Sequence, residues 1–155
     1  MAIGELRRDF DDTILIGGPP CQAYCLVGRA RANGKIGYVP EDDTRHYLFR
    51  EYIRVVDRLR PAAFVMETVK GMLSSTIESR LVFEMLMEDL ASLGTGHGRH
   101  YKLRAIRIAD GTATLQVASR PSDFIVRAEE FGVPQRRHRV IIVGINQTWP
   151  IARRA

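Results

Sequence analysis

Two kinds of hydrophobic pattern alternate along the first two thirds of the chain. Short apolar runs that stop at turn-forming residues predict buried strands at residues 14–18 and 62–66, because a strand covered on both faces shows no polar alternation. Residues 45–60 and 78–93 repeat apolar side chains at the helical period and predict two amphipathic helices, the first ended by Pro61. This order of elements is typical of an α/β fold.

The last third of the chain changes to strand-like patterns. Residues 100–108 and 139–145 predict two further strands, and 112–118 predicts an extra one. The intervening Ala109-Asp110-Gly111 is a hairpin signal. We therefore predict a single α/β domain over residues 1–155, with a mixed sheet and two helices.

Composition and charge restrict the class of protein. The 155 residues carry 23 Lys and Arg against 18 Asp and Glu, a formal net charge of +5, which fits a polyanionic partner. No apolar run approaches the ~18 residues of a membrane span, and the N-terminus does not have the pattern of a signal peptide, so we expect a cytoplasmic protein without membrane contact. The two cysteines lie four residues apart without a second Cys/His pair, which favours neither a disulfide framework nor a metal site.

The sequence around Cys21 places a thiol where a ligand could reach it. Gly17 and Gly18 allow a sharp bend after the first predicted strand, and Pro19-Pro20 cannot continue a ladder. The strand must stop there, and Cys21 follows on a loop at the carboxyl edge, where open α/β sheets bind ligands. The alternative is a buried cysteine that only fills space, which the flanking prolines and glutamine disfavour.

Three motifs, each next to a predicted strand, occur in a fixed order. They are Pro20-Cys21-Gln22, Glu67-Thr68-Val69 and Gln135-Arg136-Arg137-His138-Arg139. Together they resemble the C5-cytosine-specific DNA methyltransferase family, over roughly Ile14 to Ile145 with a poor match at 94–124. The resemblance implies a Rossmann-like core that uses S-adenosylmethionine and acts on double-stranded DNA. It also implies a restriction-modification setting and, in a bacterium, association with the nucleoid.

The resemblance also implies catalytic roles. Cys21 matches the nucleophile whose thiolate adds to cytosine C6 and makes C5 carbanion-like. Glu67 matches the carboxyl group that bonds the ring N3 and the exocyclic amine, which requires a proton on the carboxyl or shared with N3. Arg137 and Arg139 match the arginines that hold the base O2 and the flanking phosphates. The target base must leave the duplex, and the long glycine- and arginine-containing loop at 23–43 resembles the one that closes over it.

Five other residues complete the site that the resemblance implies. Pro19 and Pro20 match the face beside the methyl donor. Gln22, Thr68 and Gln135 are expected to contact the substrate. Thr68 stands where the family usually has asparagine, so a hydroxyl replaces the two donors of the amide there.

Residues 1–13 contain no glycine-rich, aromatic loop of the kind that holds S-adenosylmethionine in the family, and no target-recognition domain follows the last motif. We therefore expect these 155 residues to be the catalytic middle part of such an enzyme and to be inactive alone. The partner would be a complementary methyltransferase half or the rest of a longer chain. Two alternatives stay open: a tRNA cytosine-5 methyltransferase, and a non-catalytic, methyltransferase-like subunit.

Overall fold

A mixed six-stranded sheet forms the centre of the computed structural model, which describes residues 13–20, 47–77, 79–93 and 100–147. The strand order is β1-β2-β8-β5-β6, and β7 also pairs with β8. Only β1 and β2 are parallel, and the other described pairs are antiparallel. The sheet strands are β1 (Ile14–Gly17), β2 (Ala63–Val69), β5 (Tyr101–Ala109), β6 (Thr112–Gln116), β7 (Ile125–Arg127) and β8 (His138–Asn146).

Two helices and several short elements complete the described part. They are α1 (Phe49–Leu59), α2 (Val82–Ala91), the two-residue strands β3 (Thr76–Ile77) and β4 (Arg80–Leu81), and the 3₁₀ turns Lys70–Ser74, Pro121–Phe124 and Ala128–Phe131. Helix α1 ends as Pro61 requires, with Arg60 in the left-handed conformation just before it. No helix among the described residues is long and apolar enough to cross a bilayer.

The core lies on one face of the sheet. Alternate residues of β2 and β8 supply it, among them Phe64, Met66 and Ile142, which are completely buried. Both helices pack their apolar residues into the same cluster. The Phe64 ring lies over Gly144, its partner on β8, where an added Cβ would collide with the ring.

Apolar residues are exposed on the other face at its β1 edge. Ile14 is 59% and Ile16 is 74% exposed, whereas Leu15 between them packs against the core. Ile16 shares its face with Val65 on β2, because the two are partners in the parallel pair. The described residues therefore leave this edge of the face uncovered.

The α/β class, the mixed sheet and the two helices that the sequence predicts are confirmed. The hairpin is confirmed as well: Ala109 pairs with Thr112, and Asp110 and Gly111 both take positive φ, as a tight hairpin turn requires. The predicted second strand is too short, because pairing with β8 carries β2 on to Val69. The predicted loop at 23–43 lies outside the described residues.

Candidate active site

Strand register brings two of the predicted catalytic residues together. Val69 of β2 is the partner of Arg139, and Glu67 lies two positions earlier on the same face of the strand. The Arg139 Nε lies 2.7 Å from Glu67 Oε1 as an ion pair, and the two side chains are 26% and 42% exposed. Arg139 Nη1 also donates to the His138 carbonyl at 2.9 Å, which fixes the guanidinium along the strand. Glu67 therefore lies within β2, held by a neighbouring strand, and not on a loop beyond it.

The end of β1 approaches the same carboxylate. Gly18 follows the residue that pairs with Met66, so it lies beside Glu67. A Cβ atom added at Gly18 would be 3.0 Å from Glu67 Oε2 and 3.2 Å from the Glu67 carbonyl oxygen. Only glycine leaves Oε2 this close to the backbone of β1 without displacement. The Gly-Gly pair in the sequence was the one signal of this close approach.

Pro19 and Pro20 continue from that point, the first half-buried and the second exposed. Cys21 and Gln22 come next in the sequence and lie outside the described residues. The predicted roles of this thiol and this amide therefore stay predictions.

Thr68 lies on the opposite face of β2 from Glu67. Its side chain is 1% exposed, and its hydroxyl finds no hydrogen-bond partner among the residues that the structure describes. Side chains alternate along a strand, so a residue next to a surface carboxylate must point into the core. The structure thus does not bring Thr68 together with the other predicted site residues.

The loop that carries Gln135 and Arg137 is closed at its base. The backbone N–H of Ala128 donates to the Arg137 carbonyl at 3.0 Å. The adjacent residues Arg127 and His138 are partners in the β7–β8 pair, so this bond lies where the loop meets the two strands. Gln135, Arg136 and Arg137 are exposed, and neither arginine has an ion-pair partner among the described residues. This arrangement leaves their guanidinium groups available for phosphate or base oxygens.

A contact between His138 and Glu129, which the sequence does not predict, joins the last 3₁₀ turn to the start of β8. His138 Nε2 lies 2.7 Å from Glu129 Oε1, and each side chain is about one third exposed. Hydrogen bonding from its own backbone N–H and then from His138 holds the pKa of the Glu129 carboxyl below its usual value. The two residues are nine positions apart on different elements, a spacing that gives no local sequence signal.

A solved structure with a similar fold comes from a prophage-encoded protein of E. coli described as a DNA modification methyltransferase. The likeness has a TM-score of 0.52 and 21% sequence identity, and it covers 94% of this chain and 30% of that chain. Identity this low bears on the fold alone. It confirms the Rossmann-like methyltransferase core expected from the sequence.

Three type II methyltransferases are among the relatives in sequence. One from Bacillus paralicheniformis is 39% identical over 134 residues, which is 86% of this chain and 25% of the relative. One from Picosynechococcus is 35% identical over 131 residues, covering 84% of this chain and 42% of the relative. One from Desulfomicrobium norvegicum is 31% identical over 150 residues, covering 96% and 28%. The chain thus spans between a quarter and about two fifths of these relatives.

The model of the family described as C-5 cytosine-specific DNA methylase matches residues 2–153, almost the whole chain. This match agrees with the resemblance carried by the three ordered motifs, two of which meet in the Glu67–Arg139 pair. The chain belongs to the C-5 cytosine-specific DNA methylase family.

Proposed function

We propose that this chain takes part in methyl transfer from S-adenosylmethionine to C5 of a cytosine flipped out of double-stranded DNA. The observation that carries the proposal is the Glu67–Arg139 pair, which adjoins the end of β1 just before Cys21. A carboxyl group, a guanidinium and a thiol are the three groups that the chemistry needs. Because the chain spans 25% to 42% of the first two relatives, the proposal concerns the methyltransferase that contains these residues.

The thiolate of Cys21 adds to cytosine C6, and the electron pair of the C5–C6 bond moves to C5. Bound S-adenosylmethionine would supply an electrophilic methyl group and leave as S-adenosylhomocysteine. After C5 has taken that methyl, loss of the C5 proton to a base returns an electron pair to C5–C6, and the sulfur–C6 bond breaks. The thiolate is thereby restored, so Cys21 acts as a covalent catalyst.

Glu67 and Arg139 divide the recognition of the base between them. Arg139 Nε lies 2.7 Å from Glu67 Oε1, whereas Oε2 lies beside Gly18. We assign Oε2 to the N3 and amino edge of the cytosine, where a shared proton stabilises the charge that develops as sulfur adds. The Nη2 group of Arg139 makes no hydrogen bond within the described part of the chain and is assigned to the base O2.

S-adenosylmethionine would contact the chain through Pro19 and Pro20, which follow the glycine beside Glu67. These are the two described residues that we assign to the methyl donor, so the described part fits only one side of it. We propose that its remaining contacts come from outside the described ranges, including sequence that the relatives have beyond the matched region.

The exposed Gln135, Arg136 and Arg137 are assigned to the DNA strand around the target cytosine. Arginine suits phosphate because its planar group is always charged and donates two parallel hydrogen bonds. The logarithm of the DNA-binding constant should therefore fall linearly with the logarithm of the salt concentration.

A trapping experiment tests the covalent step. The methyltransferase that contains these residues is incubated with S-adenosylmethionine and DNA in which 5-fluorocytosine replaces cytosine. Fluorine at C5 cannot leave as the proton does, so the sulfur–C6 bond persists, and denaturing electrophoresis should show a protein–DNA adduct. Cys21→Ser should abolish this adduct while leaving DNA binding largely intact. An adduct formed equally by the serine variant would reject the assignment of Cys21.

The same enzyme also separates the DNA proposal from the tRNA alternative. Unmethylated DNA and a tRNA transcript compete for methyl label in one reaction. We expect the label in DNA, and label found only in the tRNA would overturn the proposed substrate.

A further inference from the structure

A cavity of about 380 Å³ lies between β5, β7 and the two 3₁₀ turns that flank β7. We call it the hairpin pocket. Its volume is in the range of small-ligand pockets, about 300–1,000 Å³. Neither Glu67 nor Arg139 lines it, so it is distinct from the candidate active site. Val126 in its wall is nevertheless the strand partner of Arg139, so the two sites are neighbours.

The polar lining of the hairpin pocket carries an excess of positive charge. Arg120 lies 3.6 Å from Asp123, and Arg127 lies 2.9 Å from Glu130, so two of its arginines are partly balanced. The third, Arg107, has no ion pair with any residue that the structure describes. Arg107 is therefore the cation in this pocket with the most capacity for an anion from outside.

Asp123 stays ionised, so the excess of positive charge in the pocket does not depend on its titration near neutral pH. Backbone hydrogen bonds from Ser119 and Arg120, with the nearby arginine charges of Arg120 and Arg107, hold its pKa below the usual value. Asp123 is thus ionised at neutral pH, and three arginines face two carboxylates.

The rest of the lining is apolar and ends in an exposed aromatic ring. Ile106, Ile108 and Ile125 form part of the wall, and Phe131 at the rim is 46% exposed. Phe131 directly precedes Gly132, where the loop that carries Gln135 begins. A free inorganic anion would use the arginines but would leave this apolar wall and ring without a partner.

We infer that the hairpin pocket binds a nucleotide of the DNA strand next to the target site. Arg107 contacts the phosphate, and Phe131 with the isoleucines contacts the sugar or base. An arginine on a phosphate positions a DNA strand without reading its sequence, and an apolar wall suits the deoxyribose beside that phosphate. The inference rests on the proposed function, because it presumes that the neighbouring loop meets DNA.

The test measures the affinity of the 155-residue chain for a fluorescent DNA duplex at several salt concentrations. Arg107→Gln should lower the steepness of the salt dependence by about 0.9, the value expected for one lost phosphate contact, and should weaken binding at low salt about three- to tenfold. Arg107→Lys keeps the charge and should restore the slope. Arg58→Gln is the matched control, because Arg58 is an exposed arginine of α1 that does not line the pocket.

Phe131→Leu tests the aromatic contact independently of charge. It should weaken binding about three- to tenfold while leaving the salt slope unchanged, because the apolar contact of the ring releases no counterions. Far-UV circular dichroism checks that each variant is folded.

Arg137→Gln distinguishes failure of this inference from failure of the proposed function. If Arg137→Gln weakens binding while Arg107→Gln and Phe131→Leu match the wild type, the hairpin pocket does not bind DNA and the proposed function stands. Equal effects of Arg107→Gln and Arg58→Gln would also overturn the inference, since only total charge would then matter. A wild-type chain without salt-sensitive DNA binding would contradict the DNA contacts of the proposed function itself.

Discussion

Replacing Gly144 with alanine gives the sharpest test of how the sheet packs beneath its helices. A Cβ atom added there would have three Phe64 ring carbons as nearest neighbours, the farthest of the three 2.7 Å away, whereas ordinary contacts lie at 3.4–4 Å. The ring has little room to retreat, because Phe64 is fully buried and the Tyr101 ring centroid lies 5.2 Å from its own. Either the ring or the β2–β8 ladder must shift.

The cost follows from what overpacking does to a close-packed core. Added atoms in such cores typically cost about 1–3 kcal/mol, and we expect Gly144→Ala near the upper end, about 3 kcal/mol. With a slope of about 2 kcal/mol per molar urea, the unfolding midpoint should fall by about 1.5 M. Equilibrium urea unfolding of the chain, followed by circular dichroism, measures this shift.

A second substitution identifies the clash as the cause. Phe64→Leu alone should cost about 1–2 kcal/mol because it removes buried ring atoms. In the double variant the smaller side chain relieves the collision. Its loss of unfolding free energy should therefore be smaller, by at least about 1 kcal/mol, than the sum of the losses in the two single variants. A Gly144→Ala variant as stable as the wild type, or strictly additive losses, would refute this account of the packing.

Three further predictions concern the site and the surface. Arg139→Lys keeps the charge but loses the planar guanidinium whose Nε lies 2.7 Å from Glu67 Oε1. In the complete enzyme we therefore expect kcat for methyl transfer to fall about tenfold or more while DNA affinity changes little; an unchanged kcat would show that the site does not need this guanidinium. The pKa of Glu129 is lower in the folded chain than its ordinary value of 4.5, so its charge stabilises the fold fully above pH 4.5, and this stabilisation is lost as the pH falls through the folded pKa. Glu129→Gln should therefore flatten the acid side of the curve of unfolding free energy against pH, measured by urea unfolding. Ile16→Thr should lower the binding of a hydrophobic dye and change the unfolding free energy by less than about 0.5 kcal/mol. Leu15→Thr, on the core face of the same strand, should instead destabilise the chain by about 1–2 kcal/mol. Equal losses of unfolding free energy in the two variants would contradict the assigned faces.

Much of this fold follows from local signals in the sequence. The Asp110-Gly111 turn could be predicted because few residue pairs accept positive φ at both positions, and Pro61 could be predicted to end a helix for lack of a backbone N–H. Strand β7 has only three residues and no pattern of its own, so it escaped prediction. It forms because β8 offers partners to Ile125–Arg127, and that information is not local.

The candidate site was predictable in its residue types but not in its arrangement. The motif resemblance identified Glu67 and Arg139, yet their contact depends on the register of two strands more than 70 positions apart in the chain, which no periodicity encodes. The motif resemblance also places Thr68 among the substrate contacts, at the position of the family's asparagine. The predicted strand ends at residue 66, so it did not apply the alternation of side chains to Thr68. Because β2 continues to Val69, alternation turns the Thr68 side chain to the core.

The ladder between β2 and β8 has a consequence for how such a chain can diverge. The distance between the carboxylate and the guanidinium is set by which residues pair, and it is independent of how much chain connects them. Insertions at the Asp110–Gly111 turn should therefore be tolerated, even large ones such as a fluorescent protein. Deleting Ile141, which lies between Arg139 and the buried Ile142, would shift the arginine by one position and turn it to the wrong face of the sheet. The length of this connection can therefore change, whereas a change in the register of β8 against β2 would separate the two side chains.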